Sequence, residues 1–360
     1  MAQIHPQDVL KALAALRDAG RRQDIVALGM VKDVEVGDNR VAFTLRLPNP
    51  SSPESEQLVR TAKEVVEELG VRDVQIRVAE LTAPRPAAKP ANLIPQVRHT
   101  IAVASGKGGV GKSTVAANLA VALERAGNKV GLMDTDVYGP SVPTLMSGTS
   151  GLTGGRAEPK VVEGKLEPPV EYGVKIISMA YFLPQDEAVI WRGPMLHKTI
   201  QQFLGDVRWG ELDYLLMDMP PGTGDIQLSL SQTIPLGGAV IVSTPQDLAL
   251  SVASKAIAMF KKLNVPILGV VENMSYYSCP HCGHREDIFG HGGARAAAEE
   301  MGYPFLGEIP LDANIRAQSD SGKPVALDAT TPYGKAFKDI AAALIEQVEA
   351  AQVGQEISIE

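Results

Sequence analysis

The sequence predicts an α/β protein with a mostly parallel sheet and helices on both faces, preceded by a small α+β domain. From residue 98 onward, strand-like and helix-like segments alternate, which is typical of a parallel sheet. Two of the strand-like segments, 239–242 and 267–271, are unbroken apolar runs, as strands buried on both faces require. A proline-dense stretch separates this pattern from a shorter one at the start of the chain.

Residues 1–81 are predicted to form the small α+β domain. Gly37-Asp38-Asn39 has the composition of a turn and lies between two strand-like runs, so we expect a hairpin. The predicted elements are a helix with apolar positions at Val9, Leu10, Leu13 and Leu16, strands at 25–36 and 40–47, a helix at 53–69 and a strand at 71–81.

The proline-dense stretch, 82–97, is predicted to be an interdomain linker, because proline removes amide donors and stiffens the chain. Residues 98–352 form the predicted large domain and 353–360 a tail. The predicted strands of the large domain are 100–105, 129–134, 174–179, 213–218, 239–244, 266–272 and 304–309. The predicted helices of this domain are 112–126, 195–205, 247–263, 293–301 and 333–349.

Composition excludes several classes of protein. A net charge of −8 argues against a general nucleic-acid-binding surface, because phosphate backbones select basic faces. No apolar run approaches the roughly 20 residues of a membrane helix, and charges interrupt the N-terminal segment, so we expect neither a membrane partner nor a secretory signal. Two cysteines do not make a disulfide framework. We therefore expect a soluble, cytoplasmic protein.

A glycine-rich loop follows the predicted strand 100–105 and opens the predicted helix at 112. It satisfies G-x-x-x-x-G-K-S, the pattern whose backbone amides surround phosphate oxygens at a helix N-terminus. Lys112 is expected to pair with the β- and γ-phosphates of ATP, the Ser113 hydroxyl to bind Mg²⁺, and Thr114 to add a phosphate contact. The predicted loop residues are Gly106, Lys107, Gly108, Gly109, Val110, Gly111, Lys112 and Ser113.

Aspartates end two further apolar strands, at the edge where an open α/β sheet binds its ligand. Asp134 ends the strand 129–134 and Asp136 comes two residues later, while Asp218 ends the strand 213–218. Such carboxylates hold Mg²⁺ through water or orient a water molecule for attack on the γ-phosphate. Each of them could instead cap the next helix.

The only two cysteines, Cys279 and Cys282, lie in an insertion at 275–292. The C-x-x-C spacing lets two thiolates grip one metal ion or one edge of a cluster. A 4Fe–4S cluster takes four thiolates, and a symmetric dimer would supply them. Three alternatives remain open: a zinc site completed by His284 and His291, a thioredoxin-like redox pair, and two incidental cysteines.

The loop form K-G-G-V-G-K-S resembles the deviant Walker A loop of the MinD, ParA and nitrogenase-iron-protein group of ATPases. That resemblance implies a homodimer in which Lys107 reaches the nucleotide phosphates of the partner. It also implies that Asp136 aligns the attacking water, that Asp218 has the Walker B role through a water on Mg²⁺, and that Asn273 recognises adenine.

A narrower resemblance, to the Mrp/ApbC family, covers residues 98–345. The segments that carry it are D-T-D-V-Y-G-P-S from Asp134, D-M-P-P-G-T-G-D from Asp218, E-N-M-S from Glu272 and C-P-H-C-G from Cys279. The N-terminal unit is similar to the MIP18-type domain. The resemblance implies an ATP hydrolase that carries a 4Fe–4S cluster across a homodimer and delivers it to apo-proteins, with cluster scaffold proteins as further partners.

Two other functions share the predicted fold. A positioning ATPase of the MinD/ParA type would combine the nucleotide site with a structural zinc, but the C-terminal segment lacks the basic amphipathic face that anionic lipid selects. A nitrogenase-type electron donor would hold its cluster from separated loops, whereas an adjacent C-x-x-C pair favours a transferable cluster.

Overall fold

A computed structural model describes most of the chain, which divides into two compact units, Met1–Ala91 and Asn92–Glu360. The residues outside the description are 1–4, 18–23, 27, 38, 48–49, 51, 81–91, 137–138, 148–157, 183–192, 223–226, 228–229, 232, 280 and 358–360. Most of the predicted linker therefore lies outside the described residues. Its last residues, from Asn92 to Gln96, belong to the second unit, whose first strand begins at Val97.

The first unit is a three-stranded sheet with two helices. Its elements are α1 (Pro6–Leu13), β1 (Val31–Val36), β2 (Arg40–Leu47), α2 (Pro53–Glu67) and β3 (Asp73–Glu80). The predicted hairpin is confirmed, because β1 pairs antiparallel with β2, and β3 then joins β2 in parallel. Buried apolar residues of both helices and the sheet, among them Leu13, Phe43 and Val66, form its core.

The predicted strand at 25–36 is wrong over its first six residues. Ile25 donates from its backbone to the Leu16 carbonyl, and turn hydrogen bonds join Gly29 to Val26 and Leu28 to Asp24. Gly29 has a φ of +65°, which no strand accommodates. The apolar composition of this stretch reflects packing of Ile25 and Met30 into the core of the unit, and Met30 bonds to the sheet through its carbonyl, which accepts from the Arg46 amide.

The second unit is built on an eight-stranded sheet of order β15-β12-β11-β4-β10-β5-β9-β8. Every neighbouring pair is parallel except β8–β9. The strands are β4 (Val97–Ala104), β5 (Val130–Asp134), β8 (Val170–Glu171), β9 (Val174–Ser178), β10 (Leu212–Asp218), β11 (Gly238–Ser243), β12 (Ile267–Glu272) and β15 (Phe305–Glu308). Two small hairpins lie outside it: β6 (Lys160–Val162) with β7 (Lys165–Glu167), and β13 (Tyr277–Ser278) with β14 (Arg285–Glu286).

Helices cover both faces of this sheet, as predicted. They are α3 (Lys112–Arg125), α4 (Val142–Ser147), α5 (Gly193–Gly205), α6 (Asp247–Lys262), α7 (Gly293–Glu300), α8 (Ala313–Asp320) and α9 (Pro332–Ile357). One core joins α3 and α9 to the sheet through Ile101 and Val103, and the other joins α5, α6 and α7 through Ala102 and Ala104. Both faces of β4 are buried from Thr100 onward, and the residues from Ile101 to Ala104 are accordingly all apolar.

The last helix is longer than predicted. We expect it to end at residue 349 and a tail to begin at 353, whereas α9 continues to Ile357.

In the part of the chain that the structure describes, no helix combines the length and the apolar character that spanning a membrane demands.

Parallel pairing brings the polar strand ends together at one edge. Asp218 of β10 is in register with Asp134 of β5, and Ser243 of β11 is in register with Glu272 of β12. Because β4 lies between β10 and β11, the loop that follows Ala104 emerges at the centre of this edge. The sheet order therefore places the loop between the aspartates on one side and the segment after Glu272 on the other.

Candidate functional site

The glycine-rich loop joins β4 to α3 at the carboxyl edge of the sheet. Its first residue, Ser105, is buried and donates its hydroxyl to the Lys107 carbonyl at 2.9 Å, and the Ser105 carbonyl accepts from Gly222 at 3.0 Å. Gly111 precedes the helix with a φ of +79°, a conformation that glycine adopts without strain. Fourteen helical residues then direct their N-terminal end at the loop, which is the arrangement that binds phosphate.

Lys112 and Asp218 form a buried ion pair at the mouth of this loop. The Lys112 ammonium also donates to Ser113 Oγ at 3.1 Å. Burial raises the pKa of Asp218 above its ordinary range, although the Lys112 charge opposes the shift. The second carboxylate oxygen, Asp218 Oδ2, is buried and has no hydrogen-bond partner among the described residues. That oxygen, beside the Ser113 hydroxyl, suits a hydrated Mg²⁺ ion.

The two aspartates after β5 have different surroundings. Asp134 is fully buried and accepts hydrogen bonds from the Asp136 amide at 3.1 Å, the Val142 amide at 3.2 Å and the Ser178 hydroxyl at 2.9 Å. Asp136 is 8% exposed and accepts from the Gly139 amide at 3.3 Å. Asp134 thus fixes the backbone that carries Asp136 into the site.

Ionisation of Asp134 should make the stability of the protein depend on pH. Burial, and then the neighbouring Asp218 charge, raise the pKa of Asp134 to about 7. The unfolded chain releases this proton at a lower pH, so the stabilising contribution is complete below the ordinary pKa and is lost as pH rises through about 7. Between about pH 5 and pH 8, the wild-type free energy of unfolding should fall by about 2 kcal/mol more than that of Asp134→Asn.

Urea unfolding of the nucleotide-free protein at both pH values measures this difference. Comparing the two slopes cancels any uniform loss of stability in the variant. Asp206→Asn, which changes an exposed aspartate on the same domain, is the matched control and should keep the wild-type slope. If the free energy of unfolding changes equally with pH in wild type and in Asp134→Asn, the buried Asp134 carboxyl does not hold a proton near neutral pH.

Lys107, the early lysine of the loop, is held within its own chain. Its ammonium donates to Gln246 Oε1 at 3.3 Å, and Gln246 is the N-cap residue of α6. Lys107 is half-buried. A lysine stem is flexible, so this single contact leaves the ammonium able to move toward another anion.

Asn273 lies against the glycine-rich loop. Its side-chain amide donates to the Val110 carbonyl at 2.8 Å, and its backbone amide donates to the Ser243 carbonyl at 2.8 Å. A Cβ on Gly111 would collide with Asn273 Nδ2, so the loop needs glycine there for space as well as for its φ. Asn273 is 7% exposed. The residue predicted to contact adenine is therefore also a structural neighbour of the phosphate loop.

The cysteines lie in the short hairpin β13–β14, which we call the cysteine hairpin (277–286). The Cys279 amide donates to the His284 carbonyl and the Gly283 amide donates to the Cys279 carbonyl, each at 2.8 Å, and Gly283 has a φ of +70°. Hydrogen bonds from the Cys282 and His281 backbones lower the pKa of Cys279 below its ordinary range. Cys282 is exposed. The turn thus stabilises a thiolate at the surface, which is the form that binds metal.

A polar cluster connects the cysteine hairpin to the sheet. Arg285 of β14 stacks over the Tyr276 ring at 3.8 Å and contacts Glu308 at 3.7 Å and His291 at 2.9 Å. The Ser275 hydroxyl donates to Glu272 Oε1 at 2.6 Å and lies 3.1 Å from His291 Nδ1. These contacts fix the base of the hairpin against β12 and β15.

Three ligand-type side chains in this cluster, Glu272, His291 and Glu308, lie close enough to hold a metal ion. However, the Glu272 carboxylate already accepts from Ser275 and from the first amides of α7, those of Gly292 and Ala294. The Arg285 guanidinium supplies the cluster's positive charge. We interpret it as a structural network. Within the described residues it is the only group of three such ligands, and neither cysteine belongs to it.

Sequence reasoning did not assign the supporting roles of several residues that shape the site: Asp134, Ser178, Gln246, Glu272 and Arg285. Each acts through a neighbour distant in the sequence, so spacing gives no signal for it. For Asp134 a weaker signal existed, since its strand-end position is the same as that of Asp218. Val137, Tyr138 and Asp225, which belong to the quoted motifs, lie outside the described residues.

Comparison with known proteins agrees with this geometry. A family described as NUBPL iron-transfer P-loop NTPase matches residues 96–345. A second family, described as iron-sulfur cluster assembly protein, matches residues 6–78. The two matches fall within the two compact units of the structure.

Individual relatives extend the agreement to almost the whole chain. The iron-sulfur cluster carrier protein of Deinococcus radiodurans is 48% identical over 325 residues, which cover 89% of this chain and 88% of that protein. A nucleotide-binding protein of Archaeoglobus fulgidus, solved with ADP, is 44% identical with a TM-score of 0.56, covering 63% of this chain and 88% of that one. The cell division ATPase MinD of Pyrococcus furiosus is 25% identical with a TM-score of 0.51, covering 69% and 98%. The predicted P-loop fold is confirmed, and the chain belongs to the NUBPL iron-transfer P-loop NTPase family.

Proposed function

We propose that this chain binds and hydrolyses ATP and carries a 4Fe–4S cluster, held between two copies, for delivery to apo-proteins. The observation that carries the proposal is the cysteine hairpin, in which Cys279 is half-buried, Cys282 is exposed, and backbone hydrogen bonds within the turn stabilise the Cys279 thiolate. Relatives named as iron-sulfur cluster carriers, at 37% identity and above, support it.

The ATP site uses the residues of the sheet's carboxyl edge. The loop amides and Lys112 bind the phosphates, while Ser113 and the unpaired Asp218 Oδ2 face the position suited to Mg²⁺. Bound Mg²⁺ would neutralise charge on the β- and γ-phosphate oxygens. Asp136, fixed by the Asp134 network, orients the attacking water and so acts in hydrolysis.

Two copies of the chain are needed to complete the cluster's ligands. A 4Fe–4S cluster takes four thiolates, and one chain has two cysteines. In the described residues, neither cysteine belongs to a group of three ligand side chains. A twofold axis beside the two hairpins brings Cys279 and Cys282 of both copies to one cluster. Lys107, held only by Gln246 among its described hydrogen bonds, is available for the nucleotide of the other copy.

Anaerobic reconstitution with iron and sulfide tests the cluster. We expect visible iron–sulfide absorbance, about two irons per chain, and a dimer by light scattering. Absence of that absorbance, with the chain folded and able to bind ADP, would refute the carrier function. One zinc per monomeric chain after purification would instead support a positioning ATPase with a structural zinc.

The Asp136→Ala variant should separate ATP binding from hydrolysis. Removing the carboxylate leaves the phosphate loop intact but leaves the attacking water without its orienting group. We expect turnover to fall roughly 10²-fold or more while the affinity for ATP stays within about threefold of wild type. Phosphate release and fluorescent-nucleotide titration measure the two effects, and wild-type turnover in the variant would contradict the assigned role.

A further inference from the structure

Asn273 joins the phosphate loop to the cysteine hairpin by a short path. Its side chain donates to the Val110 carbonyl, and six residues later the chain reaches Cys279. The intervening segment is pinned to the sheet edge, because the Ser275 amide donates to the Ile309 carbonyl at 2.9 Å and the Leu311 amide to the Tyr276 carbonyl at 2.7 Å. Tyr277 then pairs with Leu311 as the hairpin begins.

The Val110 carbonyl belongs to the same peptide unit as the Gly111 amide. A peptide unit is planar and trans, so its C=O and N–H point in opposite directions. By holding the carbonyl, Asn273 also fixes the orientation of the Gly111 amide, which is one of the loop amides expected to donate to a phosphate. Any rotation of this peptide when phosphate binds must move Asn273 or break its hydrogen bond.

Little space exists to absorb such a movement. Asn273 and Val110 are both buried, at 7% and 2% exposure, and Gly111 approaches Asn273 so closely that no side chain fits between them. Met274, the next residue, has a φ of +55°, a strained conformation for methionine that tight surroundings must maintain. A displacement of Asn273 would therefore also displace the residues that follow it, toward Tyr277 and Cys279.

We propose that Asn273 is a positioning residue that couples occupation of the phosphate loop to the conformation of the cysteine hairpin. The proposal deepens the proposed function, because it names the contact through which the nucleotide alters the grip on a metal cluster. Coupling of this kind is reciprocal, so metal at the cysteines would change nucleotide affinity by the same factor. Recognition of adenine alone would not produce it, since the hydrogen bond joins Asn273 to the loop backbone.

The reactivity of the two cysteines tests the coupling without any cluster. Because the full chain has no other thiols, the rate of labelling by a disulfide reagent reports on the hairpin alone. We compare metal-free protein without ligand, with saturating MgATP and with saturating magnesium tripolyphosphate, which has no base. In wild type, both ligands should change the labelling rate in the same direction, by about threefold or more. Saturation removes differences of affinity from the comparison.

Two variants complete the design. Asn273→Ala, which lacks the amide donor, should reduce both ligand responses to less than about 1.5-fold. Asn118→Ala is the matched control: Asn118 is also buried and lies on α3, but it contacts the Thr114 carbonyl and the Ala326 amide, away from the hairpin. It should keep the wild-type response.

Several outcomes would overturn the coupling. One is a wild-type labelling rate that neither ligand changes. Another is a labelling rate that changes with MgATP but not with tripolyphosphate. The third is an Asn273→Ala variant whose labelling rate changes with ligand as much as that of wild type. Should Asn273→Ala fail to fold or to bind ligand, the reciprocal measurement decides. In wild type, loading the cysteines with metal must change ADP affinity, and in Cys279→Ser/Cys282→Ser it must not. None of these failures would remove the cluster from reconstituted protein, so the carrier function is judged separately.

Discussion

Lys112→Ala should abolish ATP turnover and also destabilise the protein without nucleotide. The ammonium pairs with the fully buried Asp218 carboxylate and lowers the electrostatic cost of Asp134 beside it. Removing one partner of a buried pair leaves the other charge uncompensated. We expect the free energy of unfolding at neutral pH to fall by about 3 kcal/mol and turnover to fall roughly 10³-fold.

A double variant distinguishes the two effects of this lysine. In Lys112→Ala/Asp218→Asn the buried carboxylate is also gone, so more than half of the lost stability should return. Turnover should not return, because the double variant restores neither the phosphate contact of Lys112 nor the carboxylate of Asp218, which is proposed to hold Mg²⁺. Urea unfolding and phosphate release measure the pair of quantities. If Lys112→Ala alone is as stable as wild type, the ion pair between Lys112 and Asp218 does not stabilise the fold.

The sheet of the second unit could be predicted closely from sequence because its chemistry is local. Strands buried on both faces must be apolar at every position, and β11 and β12 begin and end within a residue of the predicted bounds. The phosphate loop is equally local, since consecutive amides can turn inward only where glycine allows it. The error at 25–36 arises from a different cause: burial alone makes a stretch apolar, and Gly29 turns it out of the strand.

What could not be predicted depends on contacts between distant parts of the chain. Asp134 and Asp136 are identical side chains two positions apart, and only packing against Val142 and Ser178 makes the first a buried support for the second. Glu272 caps a helix that begins about twenty residues later. Asn273 touches a loop more than 160 residues away. No periodicity or spacing encodes such pairs, because each is produced by the order of strands in the folded sheet.

The same reasoning explains why the cysteine pair and the nucleotide site are neighbours. Glu272 ends β12, two positions along the sheet from β4, and the chain continues directly into the cysteine hairpin. Asn273 stands at the start of this continuation and contacts the loop that follows β4. The cysteine hairpin therefore follows a strand end whose next residue contacts the phosphate loop, which is the contact on which the proposed coupling depends.

The iron content of cysteine variants should show the largest effect on the cluster. Replacing either Cys279 or Cys282 by serine leaves a pair of chains with two of the four thiolates, and we expect bound iron to fall at least about tenfold in each variant. ADP binding should be retained, because the phosphate loop does not depend on the thiolates. Iron and sulfide analysis after anaerobic reconstitution measures the loss, and retention of full iron by either variant would contradict four-thiolate ligation.

Mixing experiments then separate a cluster shared between chains from a metal held by one chain. When wild type exchanges subunits with a ninefold excess of Cys279→Ser/Cys282→Ser before reconstitution, only about one tenth of wild-type chains keep a wild-type partner. Iron per wild-type chain should fall in proportion, whereas an excess of Asp206→Asn, which keeps both cysteines, should leave every dimer with its full iron content. If the metal is bound by the ligands of one chain, iron per wild-type chain should not depend on which partner the chain has, because the partner contributes no ligand.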